Sequence, residues 1–137
     1  MIHPAGFYLL ANRLFHEGNK DEAIFWFYVG SLRYRYYLSS IEDDPFHPEQ
    51  ELFGKFQFEI GTVILDYAGG DPEFWSEQVG RAIAWDHAND NMFFGKLKYP
   101  EALLAVRQSL LELQNKLIEE KDNMIRQRIE NNAEVRV

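Results

Sequence analysis

The chain has 137 residues, a formal net charge of -8 at pH 7, 15% aromatic residues and no cysteine. Its length suits one domain with a core of its own, and its acidity sets it against phosphate backbones, which excludes a nucleic-acid partner and leaves room for a basic protein. Without cysteine there is no disulfide, thiol nucleophile or thiolate metal site, so a reducing, cytoplasmic setting is expected.

Met1-Ile2-His3-Pro4 lacks the positive region and apolar run of a signal peptide. No apolar stretch approaches the roughly 20 residues that cross a bilayer, so no membrane association is expected. The first helix is predicted from Pro4 to about Glu17, with Phe7, Leu10, Ala11 and Leu14 inward and Gly18 as its stop. Asn19 and Glu22 have the spacing of a capping box that opens helix two. Helix two carries Ala23, Ile24, Phe27, Gly30, Tyr34 and Leu38 on one face, and Phe25, Trp26, Val29, Tyr36 and Tyr37 over much of the rest. Being apolar nearly all round, it must lie between other helices or present a face to a partner. Arg33 and Arg35 read as salt-bridging or solubilising residues on its outer face.

A break follows from Ser39 to His47, with Glu42-Asp43-Asp44-Pro45 as a solvated acidic loop. Pro48 to Asp86 reads as two long helices around which the chain is organised, joined at Gly69-Gly70-Asp71-Pro72. Ile60, Val63, Ile64, Tyr67 and Ala68 form the inner stripe of the first, and Phe74, Trp75, Val79, Ala82, Ile83 and Trp85 that of the second. One of the two glycines is expected to be left-handed, with Asp71 capping and Pro72 opening the next helix. That helix should stop near Ala88 or Asn89, before a loop whose Phe93 and Phe94 tuck against the core. A last helix begins at Pro100, with Leu103, Val106, Leu110, Leu113 and Leu117 as a seam. The seam serves either as a lid over the hairpins or as a homodimer contact, so a monomer or weak homodimer is expected. No stretch alternates with period two, and the fold class is all-α, about five helices in antiparallel hairpins with a long C-terminal helix. Residues 1–118 make the domain, and 119–137 are expected to project or fray.

No catalytic, cofactor-binding or metal-binding set is predicted. His47 lies near Glu42, Asp43, Asp44 and Glu49, but without the alternating oxygen spacing of a calcium loop. Asp86-His87 and His16-Glu17 are adjacent on helices, about 100° apart, so neither is an acid–base pair. There is no nucleophile elbow and no phosphate loop, and the chain is not expected to be an enzyme. Helix two nevertheless has more aromatic surface than two neighbours readily cover. A half-exposed Trp or Tyr beside acidic residues is what binding hot spots are built from. Trp26, Tyr36, Tyr37, Glu42, Asp43, Asp44, Asp86 and Asp90 are therefore the candidate partner-binding residues, with core packing as the other reading of the aromatics.

Phe7, Leu10, Ala11, Leu14, Gly18, Ala23, Phe27 and Gly30 fall at the large, small and turn positions of a tetratricopeptide unit, which the first hairpin resembles. Arg35 stands where that family often has proline, and no second unit follows. In the middle third, Ile60-Gly61, Tyr67-Ala68-Gly69-Gly70-Asp71 and Ala82-Ile83-Ala84-Trp85-Asp86 look like small helical immunity proteins of polymorphic or type VI secreted interbacterial toxins. The second resemblance implies a cytoplasmic inhibitor that occludes the active site of a cognate toxin domain. The first implies an adaptor or secretion chaperone holding a peptide.

Overall fold

A computed structural model describes residues 2–41 and 44–137. Among them there is no strand. The helices are α1 (Ala5–His16), α2 (Lys20–Leu38), α3 (Pro48–Phe56), α4 (Thr62–Ala68), α5 (Pro72–Ala88), α6 (Pro100–Glu119) and α7 (Lys121–Glu130), and a π turn at Gln57–Gly61 runs α3 into α4. Among the described residues no helix is long and apolar enough to cross a membrane.

Gly18 ends α1 as expected, at φ +95°. Its N–H donates to the Phe15 carbonyl at 3.2 Å, and that of Asn19 donates to Leu14 at 2.8 Å, the paired bonds of a Schellman stop. The same bonds displace the expected capping box. The Asn19 N–H is already taken, its side chain makes no cap, and Glu22 pairs with Arg81 at 3.1 Å instead. The small residues do bring α1 and α2 together. Ala11 and Ala23 are fully buried, and a Cβ at Gly30 would stand 3.0 Å from Cβ of Phe7.

The organising element is α2, not the Pro48–Asp86 hairpin. It packs against α1, α3, α4, α5 and α6, while α5 leans mainly on α2 and α6 and only slightly on α4. This follows from its apolar circumference, which one neighbour cannot cover. The π turn is the second departure. One extra residue per turn rotates the stripe, so Val63 is 46% exposed and Phe58 74% exposed, while Ile60, Ile64 and Ala68 stay buried. Gly61 admits the Phe27 ring, whose Cζ would lie 3.2 Å from a Cβ there.

Asp71 caps α5, its Oδ1 accepting from the Phe74 N–H at 3.2 Å, and Pro72 opens it. Neither Gly69 nor Gly70 is left-handed, contrary to expectation. They are small because the C-terminal segment comes down on them: a Cβ at Gly70 would collide with the Arg136 guanidinium. That segment also corrects the expected frayed end. After a break at Glu120, α7 continues as a helix, Arg128 pairs with Asp66 at 3.3 Å, and the Arg136 N–H donates to Gly70 at 2.8 Å. The Arg136 guanidinium lies 3.5 Å from the Tyr67 ring centroid. Arg128 and Arg136 thus fold the charged end back onto the α4–α5 turn.

On α6, Leu103, Leu110 and Leu117 are buried and the helix lies on α5 and α2, so the seam is a lid. Since those leucines are covered from within, they offer nothing to a second copy.

Candidate functional site

Phe7 and Leu10 of α1, Trp26 and Arg33 of α2, Trp85 of α5 and the loop Asn89–Phe93 enclose a cleft of about 300 Å³. Its walls are aromatic by construction. Trp26 stacks on Phe7 with centroids 5.9 Å apart and meets Trp85 edge-on at 5.4 Å. The Arg33 guanidinium stands 4.7 Å from the Trp85 ring centroid, within cation–π range.

Beneath the cleft is a buried ion cluster. Arg33 Nε donates to Asp86 Oδ1 at 2.9 Å; Arg107 donates to Oδ2 through Nη2 at 2.7 Å and Nε at 3.2 Å. Arg33 also donates to the backbone carbonyls of Asn89 at 2.9 Å and Asp90 at 3.1 Å. Lys96 Nζ reaches the Asp86 carbonyl. The α5 C-terminus explains the gathering, since its last carbonyls attract cations. Side-chain accessibility is 7% for Arg33 and 2% for Asp86, so these charges act in a weakly screened environment.

The loop from Asn89 to Tyr99 is held from below. The Tyr36 hydroxyl donates to the Gly95 carbonyl at 2.6 Å and accepts from the Tyr99 N–H at 3.2 Å. Asn91 Oδ1 accepts from the Phe94 N–H at 3.0 Å, and Phe94 is buried as expected while Phe93 is half-buried. What the loop leaves outside is Met92, 72% exposed, and Leu97, 92% exposed, together with Lys98.

The candidate residues therefore separate. Trp26 and Asp90 meet at the cleft. Tyr37 lies behind it, half-buried, edge-on to Phe93 at 5.0 Å. Tyr36 is fully buried and serves the loop, not a partner. Asp86 is corrected from a surface residue to the centre of the ion cluster, because two guanidiniums neutralise it. Arg33 likewise is internal. Asp44 is exposed and away from the cleft, its Oδ1 accepting from the Phe46 N–H at 3.0 Å. Glu42 and Asp43 lie outside the described residues. His47 uses Nδ1 to accept from the Glu49 N–H at 3.1 Å, a helix cap. His87 is exposed while Asp86 is buried, as their angular separation on a helix requires.

Sequence reasoning misses Trp85, Phe7, Arg33 and Arg107 as site residues. A signal is present for one of them: Arg33 interrupts an otherwise apolar helix, where a charge demands an internal partner.

A second polar knot joins the chain's first residues to α3. Glu49 accepts from the Tyr34 hydroxyl at 2.7 Å and lies 3.0 Å from His3 Nε2. Because His3 Nδ1 accepts from the Ala5 N–H at 3.0 Å, the Nε2–H tautomer is the one that can donate to Glu49. Burial, with the Glu49 carboxylate adding to it, drives the Tyr34 phenol well above its ordinary value.

Set beside known proteins, the chain matches no protein-family model, no curated protein and no solved structure. The class its architecture defines is an all-helical, hairpin-rich protein.

Proposed function

We propose that this protein acts by stoichiometric binding, as an immunity protein that neutralises a cognate bacterial toxin domain by covering its active site. The observation that supports a binding role is the Asn89–Tyr99 loop. Met92 and Leu97 stand in solvent on a segment whose backbone is tied down by buried Tyr36 and Asn91. Exposed aliphatics on a pre-organised loop lose little entropy on docking, which is how a small surface becomes a hot spot. The net charge of -8 favours a partner whose facing surface is basic, with exposed Asp44 and Asp90 contributing to the encounter.

The test is co-expression with the product of the adjacent gene, read as growth rescue and a one-to-one complex. Leu97→Asp should abolish protection while leaving the circular-dichroism melt unchanged, and Asp44→Lys should slow association. Lack of any complex, or full protection by the Leu97 variant, would reject this reading.

An adaptor or secretion chaperone is the second reading, favoured by a cleft sized for single side chains of an extended segment. It requires binding to short peptides, where the immunity reading requires a folded domain.

A further inference from the structure

The cleft over the ion cluster is not explained by packing alone. Its walls are Trp26, Trp85 and Phe7, and a charged side chain that is nine-tenths buried forms part of its lining. A guanidinium has five N–H donors. Arg33 commits one to Asp86 and one each to the carbonyls of Asn89 and Asp90, which leaves two.

Charge points the same way. Arg33, Arg107 and Lys96 all converge on Asp86, so three cations gather around one buried carboxylate. With Asp90 added at the cleft mouth, the spot still carries a surplus positive charge, on a molecule whose net charge is -8. A surplus charge in a poorly screened place is stabilised by an incoming counter-charge more than a surface charge would be.

We propose that this cleft binds a small aryl- or branched-alkyl carboxylate, its apolar part between Trp26 and Trp85 and its carboxylate on the free N–H groups of Arg33. A volume near 300 Å³ admits a ligand the size of one aromatic amino-acid side chain with its acid group. The two tryptophans supply apolar contact and the guanidinium supplies charge-assisted hydrogen bonds. This goes beyond the protein-binding reading, and either can fail without the other.

The experiment is titration of the full chain with 3-phenylpropionate, followed by calorimetry and by the fluorescence of Trp26 and Trp85. The comparators are 3-phenyl-1-propanol, which lacks the charge, and 3-phenylpropylamine, which reverses it. The acid should bind with a Kd below about 1 mM, quench tryptophan emission, and weaken as salt is raised. The alcohol should bind about tenfold more weakly and the amine not at all. Met92→Asp, at an exposed position on the cleft lining, should weaken the acid about tenfold, and Asp90→Asn should tighten it. Absence of acid binding at about 10 mM, equal binding of the alcohol, or preference for the amine overturns the proposal. So does acid binding that neither variant alters, because the ligand would then sit elsewhere.

Discussion

Arg33 and Asp86 are 53 positions apart, yet their side chains meet at 2.9 Å inside the protein. The contact ties α2, the central helix, to the last turn of α5. Arg107 closes on the same carboxylate from α6. A single aspartate therefore holds three helices in register, and the cleft above inherits its floor from that arrangement.

Removing the aspartate leaves two guanidiniums without their counter-ion. Asp86→Ala is expected to cost about 3–5 kcal/mol, the range for breaking a buried pair from one side. Urea unfolding followed by circular dichroism gives the value. Asp90→Ala, at an exposed position, should fall within about 0.5 kcal/mol of the parent. If both changes prove equally mild, the cluster does not hold the helices together.

The α1–α2 contact makes a paired prediction about glycine. In Gly30→Ala the new methyl meets Phe7 Cβ at 3.0 Å and the Tyr8 ring at 3.1 Å. Overpacking should outweigh the gain in helix propensity, for a net loss of about 1–2 kcal/mol. Gly54, exposed on α3, has open space where a methyl would go, with nothing within 4 Å. Gly54→Ala should therefore gain about 0.5–1 kcal/mol. Opposite shifts in melting temperature are the expected result.

Alkaline pH should destabilise the fold through its tyrosines. Burial pushes the Tyr28 phenol up to about 12, against an opposing hydrogen bond from Trp75, and burial also raises Tyr8. In the unfolded chain both ionise near pH 10. Below that pH their contribution is complete. Between about pH 10 and 12 the unfolded state sheds protons that the native state keeps, so stability falls as pH rises. Urea midpoints from pH 8 to 12 should trace this fall, and Tyr28→Phe should make it shallower.

The C-terminal strap predicts a local effect. Arg136→Ala removes the guanidinium 3.5 Å from the Tyr67 ring and should cost about 0.5–1 kcal/mol, the exposed cation–π range. Amide exchange should quicken at Arg136, whose N–H donates to Gly70, with little change in α2. Uniformly faster exchange would mean the strap supports the whole fold.

Helix ends are legible in the sequence where a local rule governs them: Gly18 for α1, and Pro48, Asp71-Pro72 and Pro100 for the starts of α3, α5 and α6. The inward turn of Phe94 and the seam of α6 are legible through apolar spacing. The π turn is not, because apolar residues three and four apart fit a helix with or without one extra residue. Gly69 and Gly70 read locally as turn glycines, whereas their smallness serves Arg136, far along the chain. The cleft is half legible. Trp26 and Asp90 stand out in the sequence, but the Arg33–Asp86–Arg107 cluster beneath them depends on tertiary pairing that no short-range pattern encodes.

The π turn at Gln57–Gly61 also sets how this gene can change length. Loss of one codon there would let the backbone relax to ordinary four-residue bonding, yet everything downstream would swing by about 100°. Ile64 and Ala68, buried in the protein, would rotate out of the interior. Replacement of an exposed residue such as Glu59 should be benign, whereas excision of the same residue should be ruinous, and a deletion library would show a sharp gap across this turn.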